Sequence, residues 1–525
     1  MAIVSVLAVV AAFVGSAVVW RPAGSSVLAG TSIGSVTILG ASAASLDPAV
    51  QSDAGSAQVV SQLFESLTAI DTAGHVQPAL ADGWQTSDGG KRIVFHLRSG
   101  LTFSDGTSLR AADVVSSWMR VLSPSQPSQL ASLLDDVVGA RAYREGSGSK
   151  SAVGVQALGD QQVAIDLVNP AADFAAIASS PTLAVVPPTI DSDPGILLPH
   201  TFVGSGAYVL SGLTDTETTM TANPHYWAGV PPIETVHLLS SIGGKSPVSE
   251  FENGNLDYTP ISLYDASWIA YDAALGPSLR IEPSPSVEFY GFDTSKAPFS
   301  DVHVRRAFQM GIDWHRIVNL LADPLEQPAT GMVPPGVPGH GETDFGPKFD
   351  LQKARAELAA AGFPNGVGFP KITLVTAGAA LDEAIVRQLH DNLGIEINYE
   401  ELDWTTYNER LLSDPPAFWE MDWVADYPGA NDFLGLLLGT GKTNNFGRWT
   451  SGDFDAAIGR ALSATDPAAM QAAFDQAQAI VLDQAPVIPV DNGAGYSLAS
   501  PKLLGALPNG QGLVRYAGLA WASGL

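Results

Sequence analysis

The stretch KITLVTAGAALDEAIVRQLHDNLGIEINYEEL, Lys371–Leu402, decides the fold class. "KITLVTA" reads as a strand, rich in β-branched residues and short. "LDEAIVRQLHDNLG" spaces its apolar residues for a helix and ends on Gly394, the residue type that tolerates the left-handed turn at a helix end. "IEINYEEL" reads as a second strand. Strand, helix and strand in this order form a β-α-β unit, and such units build parallel sheets with ligand crevices at the strand ends.

Outward from that unit the same grammar repeats. "SVTILG" (Ser35–Gly40), "KRIVFHL" (Lys91–Leu97), "QQVAIDLV" and "VEFYGFDT" read as strands. Helices are expected at "GSAQVVSQLFESLTAID", ending near Ala69, and at "SLRAADVVSSWMRVL" with Ser108 as N-cap. Others fall at "DVHVRRAFQMGID", at "DLQKARAELAAAGF" capped by Asp350, and at Asp466–Gln484. No internal repeat is present. The 525 residues exceed the usual domain length several-fold, so more than one lobe is expected.

Composition narrows the function. The chain carries 54 acidic and 26 basic residues, a net charge of −28. Nucleic acid and anionic membrane surfaces are poor partners for such a chain. With no cysteine, disulfides, thiolate metal sites and thiol catalysis are excluded. The uncharged run Ala2–Trp20 reads as a signal-peptide core or a membrane anchor, followed by a Gly/Ser/Ala linker over residues 21–34. Either places the rest of the protein outside the cytoplasm.

Catalytic motifs are missing. "LLLGTGKTNN" (Leu436–Asn445) ends like a phosphate loop, yet Leu436 stands where its first Gly belongs, and the residues before it read as a helix. The histidines show no metal-ligand spacing. Glu65, Asp105 and Asp113 read as capping or solvated groups. No enzyme activity and no cofactor are expected.

"EMDWVADYPGANDF" (Glu420–Phe433) is the exception. Alternation puts Trp419, Met421, Trp423 and Ala425 on one face of a strand, and Glu420, Asp422, Val424 and Asp426 on the other. A carboxylate next to apolar neighbours needs a cation, from the chain or from a ligand. By alternation alone, an ordinary half-exposed strand with a solvated acidic face is the favoured reading.

The order of motifs adds a family. "LDPA" (Leu46–Ala49), "GGKRIVFHLRSGLTFSDGTSLRAADVVSSW" (Gly89–Trp118), "VGSGAYVL" (Val203–Leu210), "NPHYW", "GNLD", "APFSDVHVRRAFQMGIDWHRIV" (Ala297–Val318), "ARAELAAAGFPNG", "WVADYPG" and "QAPVIPV" follow one another. This series resembles the extracytoplasmic solute-binding proteins of family 5, the oligopeptide/dipeptide/nickel type. The resemblance implies an α/β, two-lobed periplasmic-binding-protein (Venus-flytrap) fold with an additional inserted subdomain. Lobe I would comprise residues 35–68, 183–287 and 488–525, the inserted subdomain II 69–182, and lobe III 288–487. It implies a monomer that binds peptide or another small solute in the cleft and delivers it to an ABC permease with its ATPase subunits. In the peptide binders the A-D-Y aspartate, here Asp426, meets the ligand's ammonium group. Asp422 and Val424 match positions that pair with peptide backbone, Ser52 and Ala54 match the opposite edge, and Trp423 lies between the two on the strand. Trp404, 22 residues before Asp426, matches a pocket tryptophan. A pocket arginine that some members use for the ligand carboxylate is not recognisable. Nickel complexes, haem, opines, glycosides, or a cell-envelope role without transport stay open on the same fold.

Overall fold

The computed structural model describes residues 34–191, 197–321, 327–464 and 466–522. The apolar run at residues 2–20 lies outside them. Among the described residues no helix is long and apolar enough to cross a membrane.

Two sheets organise the chain. The first has seven strands, in the order Leu279–Pro283, Ala494–Ala499, Tyr258–Pro260, Ser35–Leu39, Thr235–Leu239, Glu217–Ala222 and Tyr208–Leu213. The second has six, in the order Gln327–Pro328, Val487–Asn492, Ser286–Phe292, Phe418–Val424, Ile372–Thr376 and Ile397–Glu401. A separate four-stranded antiparallel sheet, built from Ala81–Ser87, Arg92–Leu97, Gln162–Asp166 and Val155–Ala157, forms the body of the insertion.

The β-α-β unit stands as read. Ile372–Thr376 runs parallel to Ile397–Glu401, and helix Asp382–Leu393 connects them and ends on Gly394 at φ 70°. Asp350 and Asp466 cap their helices by accepting from Lys353 and Ala469 backbone N–H.

The chain passes between the two large sheets at residues 284–285 and at Gly493. Both passages lie a few residues from the boundaries expected at 287/288 and 487/488, because Ser286–Phe292 and Val487–Asn492 are complete strands of the second sheet. Pro283 and Pro285 bring no N–H to a ladder, so the first-sheet strand stops there. Ser284 N–H donates to Gly493 O at 2.9 Å, which ties the two passages side by side.

Two local expectations fail. The helix begun at Ala54 ends at Leu63, and Thr68–Ile70 is a strand paired with Val76–Pro78. Helix Ala111–Val121 starts from Arg110 and not Ser108; Asp113 accepts the Arg110 N–H at 2.8 Å.

The second sheet is packed on both faces. Val287, Phe289, Trp419 and Met421 enter one apolar core. Tyr290, Phe292 and Phe418 enter the other, with the Phe292 and Phe418 rings stacked at 5.1 Å.

Candidate functional site

A cavity of about 850 Å3 opens between the lobes. Its first-lobe wall includes Ser52 and Ala54, where helix Ala54–Leu63 begins. Asp53 caps that helix, accepting from Ser56 N–H at 2.8 Å and from its hydroxyl at 2.6 Å. Its second-lobe wall is the strand Phe418–Val424, its continuation to Asp426, and Trp404 at the start of helix Trp404–Ser413. Ser52, Ala54, Trp404, Asp422, Trp423, Val424 and Asp426 thus all face one space.

The hydrogen-bond parity of the strand matters. Ala425 N–H donates to Pro285 O at 2.9 Å, so that pair is a hydrogen-bonded one of the antiparallel ladder. Alternation along an unbroken register then makes Ser286/Val424, Glu288/Asp422 and Tyr290/Glu420 the non-hydrogen-bonded pairs. The N–H and C=O of Val424, Asp422 and Glu420 therefore point away from strand Ser286–Phe292. On that side strand Ile372–Thr376 pairs only with Phe418 and Trp419 and then diverges. The Tyr407 hydroxyl takes up the Glu420 rung, donating to Glu420 O at 2.5 Å and accepting from its N–H at 3.0 Å. Beyond it the edge of the strand turns to the cavity.

Alternation sorted this strand's side chains well at its cavity end and less well toward the core. Trp419, Met421 and Ala425 are buried and Asp422 is exposed, yet Glu420 is only 7% exposed.

Asp426 sits where the strand gives way to a turn. Its N–H donates to Asp432 Oδ2 at 3.0 Å, and its carbonyl accepts from Gln511 Nε2 of the first lobe at 2.7 Å. Its Oδ2 is closed off from water and has no hydrogen-bond partner among the described residues. Burial pushes the carboxyl up to about 7. Asp432, fully buried beneath it, also accepts from Trp423 Nε1 at 3.0 Å. Burial and the nearby Asp426 push Asp432 well up as well. Among the described residues that line the cavity there is no Lys, Arg or His, whereas Asp53, Glu288, Glu420, Asp422 and Asp426 all do.

The lobes also touch directly beside this site. Tyr427, next to Asp426, donates to Asp173 Oδ2 of the insertion at 2.8 Å, and Asn431 Nδ2 donates to the Tyr427 hydroxyl at 3.0 Å. The residues that resemble a phosphate loop belong to this seam. Lys442 lies 3.6 Å from Asp135, and the Thr443 hydroxyl donates to Gln129 O at 2.6 Å.

Sequence reasoning missed Glu288, Gln511 and Asp432 as parts of the site. Alternation in "VEFYGF" already groups Glu288 with Tyr290 and Phe292. It could not say that this face meets a cleft at its Glu288 end. Glu65, expected as a capping or solvated group, is 1% exposed and paired with Arg515 Nη2 at 2.9 Å. It also accepts from the Tyr226 hydroxyl at 2.6 Å.

The profile of the family described as "Bacterial extracellular solute-binding proteins, family 5 Middle" matches residues 75–445. The chain is 31% identical over 465 residues to the probable deoxycholate-binding periplasmic protein YgiS of Escherichia coli (strain K12), covering 85% of each. It is 28% identical over 478 residues to the periplasmic oligopeptide-binding protein OppA of Salmonella typhimurium, covering 86% of this chain and 85% of that one. Among solved structures, the Escherichia coli murein tripeptide binding protein MppA aligns with a TM-score of 0.83 at 24% identity, over 93% of this chain and 99% of that one. Haemophilus influenzae OppA in complex with RPPGFSPFR aligns with a TM-score of 0.81 at 21% identity, over the same shares.

Proposed function

Because this chain belongs to family 5 of the bacterial extracellular solute-binding proteins, we propose that it captures peptides outside the cytoplasm for an ABC importer, pairing their N-terminal ammonium with Asp426. The observation that carries this reading is the Asp426 carboxylate. One oxygen is shielded and has no partner among the described residues, and those lining the cavity offer it no cation. A desolvated carboxylate without a partner is unfavourable, and an ammonium entering the closed cleft would meet it as a charge-assisted pair.

The strand edge supports the same reading. The Asp422 and Val424 rungs face the cavity in the parity that an added extended chain needs, with Ser52 and Ala54 on the opposite wall. Backbone pairing of that kind accepts any peptide, so Trp404 and Trp423 would act on side chains. Binding would be coupled to closure of the two lobes about the paired passages at 284–285 and 493. The permease and its ATPase subunits are then the partners, and the protein acts as a monomer.

Similarity to a relative named for deoxycholate raises a different cargo. A bile acid brings a carboxylate and no cation. It would face Glu288, Glu420, Asp422 and Asp426 across a cavity lined by no described basic residue. The acidic lining therefore favours a cationic ligand.

The test is isothermal titration of the purified protein with tetra-alanine, with N-acetylated tetra-alanine and with deoxycholate. The free peptide should bind and acetylation should abolish the heat. Equal binding of the two peptides removes the role given to Asp426, and binding of deoxycholate alone overturns the peptide reading.

A further inference from the structure

We propose a second cation-binding subsite in the cleft, formed by Glu288 and Glu420 with Asp422 at its rim, that takes a basic side chain of the bound peptide. It deepens the preceding proposal and rests on it, since the first cation is taken to sit at Asp426.

The register assembles the subsite. Glu288 lies directly opposite Asp422 on one neighbouring strand and opposite Asp491 on the other. Three carboxylates thus stand in one row across three adjacent strands. Glu420, two residues before Asp422, shares their face. Like charges directly opposite one another destabilise a sheet. Further along the same two strands the same face carries Tyr290, Phe292 and Phe418 in an apolar core. Apolar residues at 288 and 420 would extend that core, so folding does not account for the acids.

Two of these carboxylates, Glu288 and Glu420, are built into the wall without a partner among the described residues. Glu288 Oε1 is closed off from water and has no hydrogen-bond partner among the described residues. Glu420 is 7% exposed, and its carboxylate makes no hydrogen bond or ion pair with any described residue. Both line the cavity. Asp382 behind them differs, because it accepts from the Tyr290 and Thr376 hydroxyls at 2.8 and 2.7 Å and does not line the cavity. Besides burial, the strongest influences on Glu288 and Glu420 are other carboxylates, and these raise both groups, Glu420 to about 8.

The geometry selects an organic cation. Among the described residues no group of three His, Asp or Glu converges closely enough to hold a metal ion. Along the strand, Asp422 lies four residues from Asp426, roughly 13 Å at the rise of an extended chain. A peptide whose ammonium occupies Asp426 spans that gap with a lysine or arginine at its second or third position.

The test is titration calorimetry near neutral pH with tetra-alanine and its variants carrying Lys or Glu at position two or three. The proteins are the wild type, Glu420→Gln and Glu288→Gln. The better Lys peptide should bind the wild type about tenfold or more tighter than tetra-alanine, and the Glu peptides more weakly than it. The Lys preference should collapse in Glu420→Gln while tetra-alanine still binds. Thermal melts check that each variant folds, and either one alone reports on the subsite. Equal binding of Lys peptides and tetra-alanine overturns the subsite and leaves the Asp426 reading intact. An undiminished Lys preference in both variants also overturns it. If no free peptide binds at all, both proposals fall.

Discussion

Glu65 and the cleft carboxylates solve the same problem in opposite ways. Glu65 is shielded from water, but Arg515 and Tyr226 saturate it. Glu288, Glu420 and Asp426 are shielded too, yet the described residues lining the cavity bring no cation, and neighbouring carboxylates add negative charge around Glu288 and Glu420. A buried carboxylate that serves the fold is satisfied within the chain, by a countercharge as at Glu65 or by hydroxyl donors as at Asp382. One that lacks both keeps its proton to higher pH, as Glu420 does to about 8, and would ionise at lower pH only beside something cationic. On the proposed reading, the difference separates structural acids from recognition acids.

The sharpest break of that comparison is at Glu65. Arg515→Met should destabilise the protein by about 3–5 kcal/mol, since it strands a buried carboxylate. Denaturant unfolding measures it, and an unchanged midpoint would erase the distinction. Asp426→Asn should act on the other side only. Peptide affinity should fall by about 2–5 kcal/mol, read by calorimetry, with the melting temperature unchanged or higher.

The third contrast is with pH. The Glu420 carboxyl is raised from its ordinary range to about 8 in the folded protein. The native state therefore holds a proton that the unfolded state releases between roughly pH 4.5 and 8. Stability contributed by the protonated form is complete below that window and is lost as pH rises through it, at up to about 1.4 kcal/mol per pH unit. Glu420→Gln should flatten this slope in pH-dependent melts, and a parallel curve would contradict it. The smallest effect expected is on binding. With Asp426 near 7, peptide affinity should decline below neutral pH by at most about tenfold per unit and level off above it. Asp426→Asn should remove that decline.

Local rules made the fold legible, and long-range partners set the limit. Helix 382–393 and its flanking strands followed from period and a terminal Gly. The caps at Asp350 and Asp466 followed from side-chain chemistry. Glu65 was misread because the residue that neutralises it lies 450 positions away. Of the site, alternation in "WEMDWVAD" assigned Asp422 and Val424 to one face, and a motif singled out Asp426. Glu288 was visible as an acid in an alternating strand. Its meaning depended on sheet order, which puts 286–292 between 487–492 and 418–424. The helix end at Leu63 was missed for a related reason. Apolar spacing continues past it, but Glu65 N–H is held by the Ser205 hydroxyl, far along the chain.

The Tyr407 hydroxyl has a consequence for self-association. A strand whose backbone groups are left unpaired is a template on which other chains can pair and aggregate. Here one phenol closes the Glu420 rung, and the edge that continues past it lies inside a gap between two lobes. A whole sheet from a neighbouring molecule has no room to dock there, whereas one extended chain does. The feature suited to ligand pairing is thereby withheld from other copies of the protein, which lets a strand edge persist in a crowded compartment.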